Sequence, residues 1–405
     1  MPDHFRRHPM ASLAAAACLL VSGAAVAQSS PYYIGVAQSL GYESNLYRVG
    51  GAAGLPANAQ AKSDTIATTS LVAGVDQTWG RQRLSGSGSL RTSRYGSNDQ
   101  LNNNGYGLNL GLDWATVERL SGRLALTADR SLRGYDPAYQ AGQASERNIQ
   151  DNNSLSGTVR LGVVTRLTAE ASASRQGVRY TAAAYAGSEY DQTAGSLGLR
   201  YRLGGATTVG LAWRQSDVTY LSRNDPYTRR DIDLTGTWDP SGLTTVYARL
   251  SSTKTTNAVS PLRDFSGATA ELRGSTQVSG KVRLNARLSR DLGQGTSTFD
   301  FRGLTSATEF NRVSNALRLG ADYDLSAKIS LSANLDHEQR SFDSTRFAVL
   351  SGSDRTTTLG LGARWLPTRA IQVGCNLGYD TRSVSLVGNP YSSHSLSCYG
   401  QFILQ

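Results

Sequence analysis

The chain has 405 residues, a formal charge of +10, only 18% charged residues and 42 glycines. Length alone allows one large domain or two or three small ones, but low charge with abundant glycine and small polar residues does not suit a soluble α/β enzyme. Three cysteines exclude a disulfide scaffold, and no segment carries the roughly 20 apolar residues of a membrane-spanning helix.

The first 27 residues read as a secretory leader. Arg6 and Arg7 form a positive start, residues 11–22 (ASLAAAACLLVS) an apolar run, and Ala25-Val26-Ala27 a small-x-small cleavage signal. The expected mature chain therefore begins at Gln28 and forms one domain, 28–405. Export makes nucleic acid an improbable partner despite the positive charge. That charge is almost all arginine and is spread along the chain without a basic tail.

From Gln28 onward one pattern recurs. YGLNLGLDW (106–114), LSGTVRLGV (155–163), ISLSANLDH (329–337) and IQVGCNLGY (371–379) alternate apolar with polar or small residues. Strict period two over seven or more residues signals strands with one apolar face. Eighteen strands are predicted: 31–47, 63–79, 83–97, 103–116, 121–134, 151–165, 167–181, 189–203, 206–220, 228–239, 243–257, 263–278, 280–292, 308–323, 327–343, 353–366, 369–385 and 391–404. Links after even-numbered strands are short, such as Gly80-Arg81-Gln82, Gly204-Gly205 and Pro367-Thr368. Links after odd-numbered strands are longer and polar, notably 48–62, 135–150 and 293–307. Short turns at one end and long loops at the other describe an all-β, antiparallel up-and-down transmembrane barrel of the bacterial outer membrane.

Aromatic placement points the same way. Trp79, Trp114, Trp238 and Trp365 all close even-numbered strands just before short turns, as an interfacial girdle requires. Tyr95, Tyr135, Tyr180 and Tyr220 close odd-numbered strands and are the expected opposite girdle. In KVRLNARLSR (281–290), Val282, Leu284, Ala286 and Leu288 would face lipid, while Arg283, Asn285 and Arg287 face water inside.

Eighteen strands leave a lumen too wide for side chains to fill. Alternation points Arg91, Arg160, Arg200, Arg202, Arg214, Arg249, Arg273, Arg283, Arg287, Arg318 and Arg364 inward, where their guanidinium forks suit carboxylates and phosphates. Asp113, Asp129, Glu170, Asp231, Asp233, Glu271, Asp322, Asp336 and Glu338 fall on the same side. Cross-strand Arg–acid ladders that stiffen the wall are therefore an equal expectation for any one arginine.

Catalysis has no foundation in this pattern. His337 and His394 are the histidines of the mature chain, and neither comes with a serine or acid in a recognisable set. No metal-ligand spacing occurs and no cofactor is implied. Cys375 and Cys398 share a facing parity on the last two strands. Their predicted pairing allows a cross-strand disulfide in an oxidising periplasm, two buried thiols being the other outcome.

The first strand reads YIGVAQSLGYESNLYRVG (33–50). Its Tyr42, Ser44, Asn45, Leu46, Tyr47 and Arg48 resemble the opening strand of EpsL-type, exosortase-associated exopolysaccharide barrels, a branch of the putative outer-membrane barrel porins. The resemblance implies export of a finished polysaccharide to the cell surface, with a periplasmic polysaccharide export protein of the Wza kind as partner. A diffusion porin for small anionic or sugar solutes is the alternative. Either reading includes outer-membrane lipid as surroundings and the barrel assembly machinery during biogenesis, although the chain ends YGQFILQ, with Phe402 short of the terminus.

Overall fold

The computed structural model describes residues 30–50, 54–56, 58–135, 146–162, 165–259, 261–301, 304–344, 352–383 and 390–405. The expected leader, 1–27, lies outside the described residues, as do 136–145 of the predicted loop at 135–150. Eighteen strands follow one another: β1 Tyr32–Glu43, β2 Asp64–Trp79, β3 Gln82–Tyr95, β4 Asn103–Ala115, β5 Leu120–Leu132, β6 Ile149–Leu161, β7 Leu167–Tyr180, β8 Tyr190–Arg202 and β9 Thr207–Tyr220. The second half comprises β10 Tyr227–Trp238, β11 Thr244–Asn257, β12 Phe265–Gln277, β13 Val282–Phe301, β14 Leu304–Asp324, β15 Ile329–Ser344, β16 Gly352–Trp365, β17 Ile371–Arg382 and β18 Tyr391–Leu404.

Each strand pairs antiparallel with its neighbours in sequence, and β1 pairs with β18 from Ile34 opposite Leu404 to Glu43 opposite Ser395. The sheet is thus a closed barrel without edges, the arrangement that satisfies every strand's backbone where no water is available. A strand of 13 residues such as β4, tilted by about 40°, rises roughly 33 Å and clears an apolar band of about 25 Å.

The outer face is aliphatic. Leu40, Leu90, Leu197, Leu250, Leu288 and Leu361 are among many large side chains left more than half exposed by the protein itself. A soluble protein would bury them; here they form the surface that meets lipid. Register stacks them in rows, Leu272 opposite Leu288 and Leu288 opposite Leu317. The alternate positions carry the polar side chains into the lumen.

Trp79, Trp238 and Trp365 end their strands exposed, next to the short turns. Trp114 lies flat over Gly122 on β5, where a Cβ would stand 2.5 Å from its ring, so only glycine admits this packing. Trp213 instead faces outward in mid-strand, opposite Leu197 and Ile232.

Two expectations are corrected. The segment 293–307, read as a loop, is a hairpin extension: β13 and β14 stay paired from Leu292 opposite Val313 to Phe301 opposite Leu304. The opposite tyrosine girdle does not form from Tyr95, Tyr180 and Tyr220. Each has the parity of the lumenal arginines on or beside its strand and packs against links at the barrel mouth. Tyr180 lies 5.6 Å from Tyr185 with the Arg133 guanidinium over both rings, and Tyr220 sits between Tyr190 and Tyr227 under Arg223. Tyr135, in the link after β5, stacks on Tyr47 at 4.8 Å.

The two faces of β13 differ enough to be tested by charge. Ala286→Arg, on the lipid side, is expected to cost about 2–4 kcal/mol in unfolding from lipid vesicles, whereas Asn285→Arg, on the lumenal side, leaves stability within about 0.5 kcal/mol.

Candidate functional site

The lumenal wall pairs its arginines in two different ways. On β2–β8 most inward arginines have an acid to themselves or share one pairwise. Arg83 forks onto Asp76, Arg91 reaches Asp129 at 2.9 Å, and Arg123 reaches Asp113 at 3.0 Å. Glu170 takes Arg160 at 2.7 Å and Arg200 at 3.4 Å. Arg202 shares the face of Arg200 near the end of β8 and makes no ion pair among the described residues.

On β11–β14 the register does something different. Arg273 stands directly opposite Arg287, and Arg287 directly opposite Arg318. Three arginines therefore occupy adjacent register positions on three strands, with side chains well exposed to the lumen. Like charges in direct opposition repel. The repulsion is met at the ends: Glu271, itself buried, holds Arg273 at 2.5 Å, Arg287 at 2.6 Å and Arg249 at 3.5 Å, and Asp336 holds Arg318 at 2.8 Å. One carboxylate thus serves three arginines, which leaves guanidinium hydrogen-bonding capacity pointing into the channel. Arg283 lies four residues nearer the short turns than Arg287 and reaches Asp324 at 3.4 Å, while Arg364 donates to Ser330 Oγ.

Above this row the lumen is narrowed by parts the sequence pattern did not reveal. Beyond Ala270 opposite Arg290, β13 stops pairing with β12. Arg229 on β10 crosses to β13, donating to Asp291 Oδ1 at 3.1 Å and to the Leu292 carbonyl at 3.0 Å. Leu292 lies over the inner side of Gly267, and a Cβ there would come within 2.9 Å of it. Beneath this strap Ser251, Thr253, Thr269, Asp231 and Asp233 are buried. Arg214 and Arg229 both pair with Asp231, and Arg214 also reaches Asp233. A second closed network ties Asp354 to Arg340 at 2.8 Å and to Arg382.

The motif of the first strand is spent on the mouth. Asn45 donates to the carbonyls of Val49 and Ser392, Arg48 pairs with Glu43 and Asp380, and the Tyr47 hydroxyl donates to Asn98. Tyr47, Val49 and Leu101 form a small core with Tyr95 and Tyr135 packed on it. Burial pushes the hydroxyls of Tyr47 and Tyr135 above the ordinary phenol range.

Cys375 and Cys398 stand directly opposite each other on the outward side and are bonded, with Sγ–Sγ 2.12 Å. His337 meets Thr357 and His394 stacks on Tyr379, both on the outward parity. Among the described residues no group of His, Cys, Asp and Glu is arranged to hold a metal.

No protein-family model matches the chain, and no curated protein matches it in sequence. Solved structures resemble it at low identity. OccAB4 of Acinetobacter baumannii is 11% identical over 93% of this chain and 99% of its own, with a TM-score of 0.49. OccK9 (OpdG) of Pseudomonas aeruginosa is 13% identical over 92% and 98%, with a TM-score of 0.48. OccK2 (OpdF) of the same organism, solved in complex with glucuronate, is 13% identical over 93% and 98%, with a TM-score of 0.47. At this distance the fold rests on the chain's own strand pairing.

The strap is open to direct test. Arg229→Ala removes one side of a largely buried ion-pair network and is expected to destabilise the barrel by about 3 kcal/mol in denaturant unfolding. It should also raise single-channel conductance, because the base of the β13–β14 extension is no longer held against β10–β12. For the cysteines, thiol titration of the denatured, unreduced protein should find none free in the mature chain, and two after reduction.

Proposed function

We propose that the chain is an outer-membrane diffusion channel for small anionic solutes, carboxylate-bearing metabolites or sugar acids. The observation that carries this reading is the lumenal row Arg273–Arg287–Arg318, in which Arg273 and Arg287 share one buried Glu271 with the neighbouring Arg249 while Arg318 pairs with Asp336. An entering carboxylate finds guanidinium forks whose hydrogen bonds are only partly occupied. Glu271 acts as a resident counter-ion: it lowers the net attraction, so that a solute exchanges onto the row and leaves again. The narrowing by the Arg229–Asp291 strap and by the links at the mouth favours small solutes. The remaining lumenal arginines are approach sites in this scheme, and those paired one to one stiffen the wall.

The reading includes two further parts. Residues 1–27 are removed before the barrel assembly machinery inserts the chain, which a mass of the mature N-terminus at Gln28 checks. Trp79, Trp114, Trp238 and Trp365 sit at the periplasmic lipid–water boundary, where amphipathic rings are best accommodated.

A second reading, export of an exopolysaccharide with a Wza-like periplasmic partner, is favoured by the EpsL-like segment Tyr42–Arg48 and by the strand number. The structural work of Asn45, Tyr47 and Arg48 at the mouth accounts for those residues without a polymer. A deletion strain that loses its surface polysaccharide while retaining uptake of small anions would favour export over diffusion.

Planar-bilayer recording tests the main reading. The intact channel should prefer anions in a salt gradient, and a sugar acid such as glucuronate should reduce its conductance in a saturable way. Replacing Arg273, Arg287 and Arg318 together by Gln should lower the anion-to-cation permeability ratio by about fivefold, the equivalent of about 1 kcal/mol of lost attraction. Equal selectivity in both proteins would contradict it.

A further inference from the structure

We propose that Arg230, Lys254 and Arg290 form a site on the outer wall for the phosphorylated glycolipid of the outer leaflet. The proposal rests on the outer-membrane placement but not on what passes through the lumen. All three are exposed and share the outward parity of the aliphatic band. Arg230 and Arg290 stand one outward position beyond Ile232 and Leu288, and Lys254 two beyond Leu250, toward the end of the strands carrying the long links. That is the level at which the apolar band gives way to lipid headgroups.

Arg230 lies directly opposite Lys254, and Arg290 lies two strands beyond on β13, opposite Ala270 and so in register with Leu250 rather than with Lys254. Two cations in direct cross-strand opposition destabilise a sheet unless an anion lies between them. The protein supplies none here. Arg230 Nε donates to the neutral Gln215 Oε1 at 3.2 Å, and Arg290 to Asn315 Oδ1 at 3.4 Å. Lys254 makes no ion pair among the described residues. Asp217, the nearest carboxylate in register, accepts instead from Gln215 and Thr228.

Among other outward cations near this level, Arg130 has Asp151, and Arg175 and Arg179 share Asp191, while Arg94 and Arg355 make no ion pair among the described residues. Arg230 and Lys254 are set apart by standing in direct cross-strand opposition. A phosphate monoester accepts a guanidinium fork and an ammonium together, and its acyl chains would lie along the leucines below.

The test uses the purified, delipidated full chain in detergent. Its ligands are bisphosphorylated lipid A, the same glycolipid without phosphates, and inorganic phosphate, with bound lipid read by native mass spectrometry. The wild type should bind the bisphosphorylated lipid at least about tenfold tighter than the dephosphorylated one, given the contribution of each basic residue near a charged surface. R230Q/K254Q/R290Q should lose that preference, whereas R130Q retains it. Should the triple variant fail to fold, K254E alone should weaken the preference several-fold. Equal binding of both lipids by the wild type, or an undiminished preference in the variants, would overturn the proposal. So would full competition by millimolar inorganic phosphate, which would make this a free-anion site.

Discussion

Everything in this barrel follows from the need to pair backbone amides where no water can reach them. The seam between β1 and β18 is where that need is finally met, since the first and last strands meet only when the circle is complete. Gly35 shows how closely the seam is drawn. A Cβ there would stand 2.5 Å from the Phe402 carbonyl oxygen, so any other residue would push the two strands apart. Once the seam is shut, period two in each strand fixes which side chains meet lipid and which meet water.

That division sets the electrostatics of the interior. Arginines excluded from the lipid side must share a confined lumen, and register decides whether each finds an acid. On β2–β8 most arginines have an acid on an adjacent strand, alone or shared pairwise. On β12–β14 the register aligns three arginines instead, and the cost is offset by one buried glutamate and one flanking aspartate. A site with spare guanidinium capacity is thus a consequence of strand register as much as of composition. The same logic on the outer wall leaves Arg230 and Lys254 facing each other without an anion of the protein's own.

Strand number, strand order and facing were legible because a half-immersed strand must alternate. Legibility failed where that physical reason lapses. The sequence GQGTSTFDF (293–301) lies past the end of β12 pairing, and its glycines and small polar residues show no sustained apolar alternation to mark it as strand. Tyr95, Tyr180 and Tyr220 end strands as girdle residues do, but their parity with Arg91, Glu170 and Arg214 places them on the lumenal side, where the links of the mouth cover them. The individual lumenal arginines could be named from alternation. Their grouping could not, because a row such as Arg273–Arg287–Arg318 depends on cross-strand register, which the period within each strand leaves open. The strap from Arg229 to Asp291 joins residues 62 positions apart and has no local signature at all.

The central claim is a closed wall with lipid on one side and an aqueous lumen on the other. Single cysteines placed in turn at positions 282 to 289, in a background with Cys375 and Cys398 replaced by serine, can be labelled with an environment-sensitive fluorophore in lipid vesicles. Quenching by brominated lipid should alternate, strong at 282, 284, 286 and 288 and weak at 283, 285, 287 and 289, with quenching by iodide in the opposite phase. A profile with period near 3.6, or uniform access of iodide to all eight positions, would contradict the account.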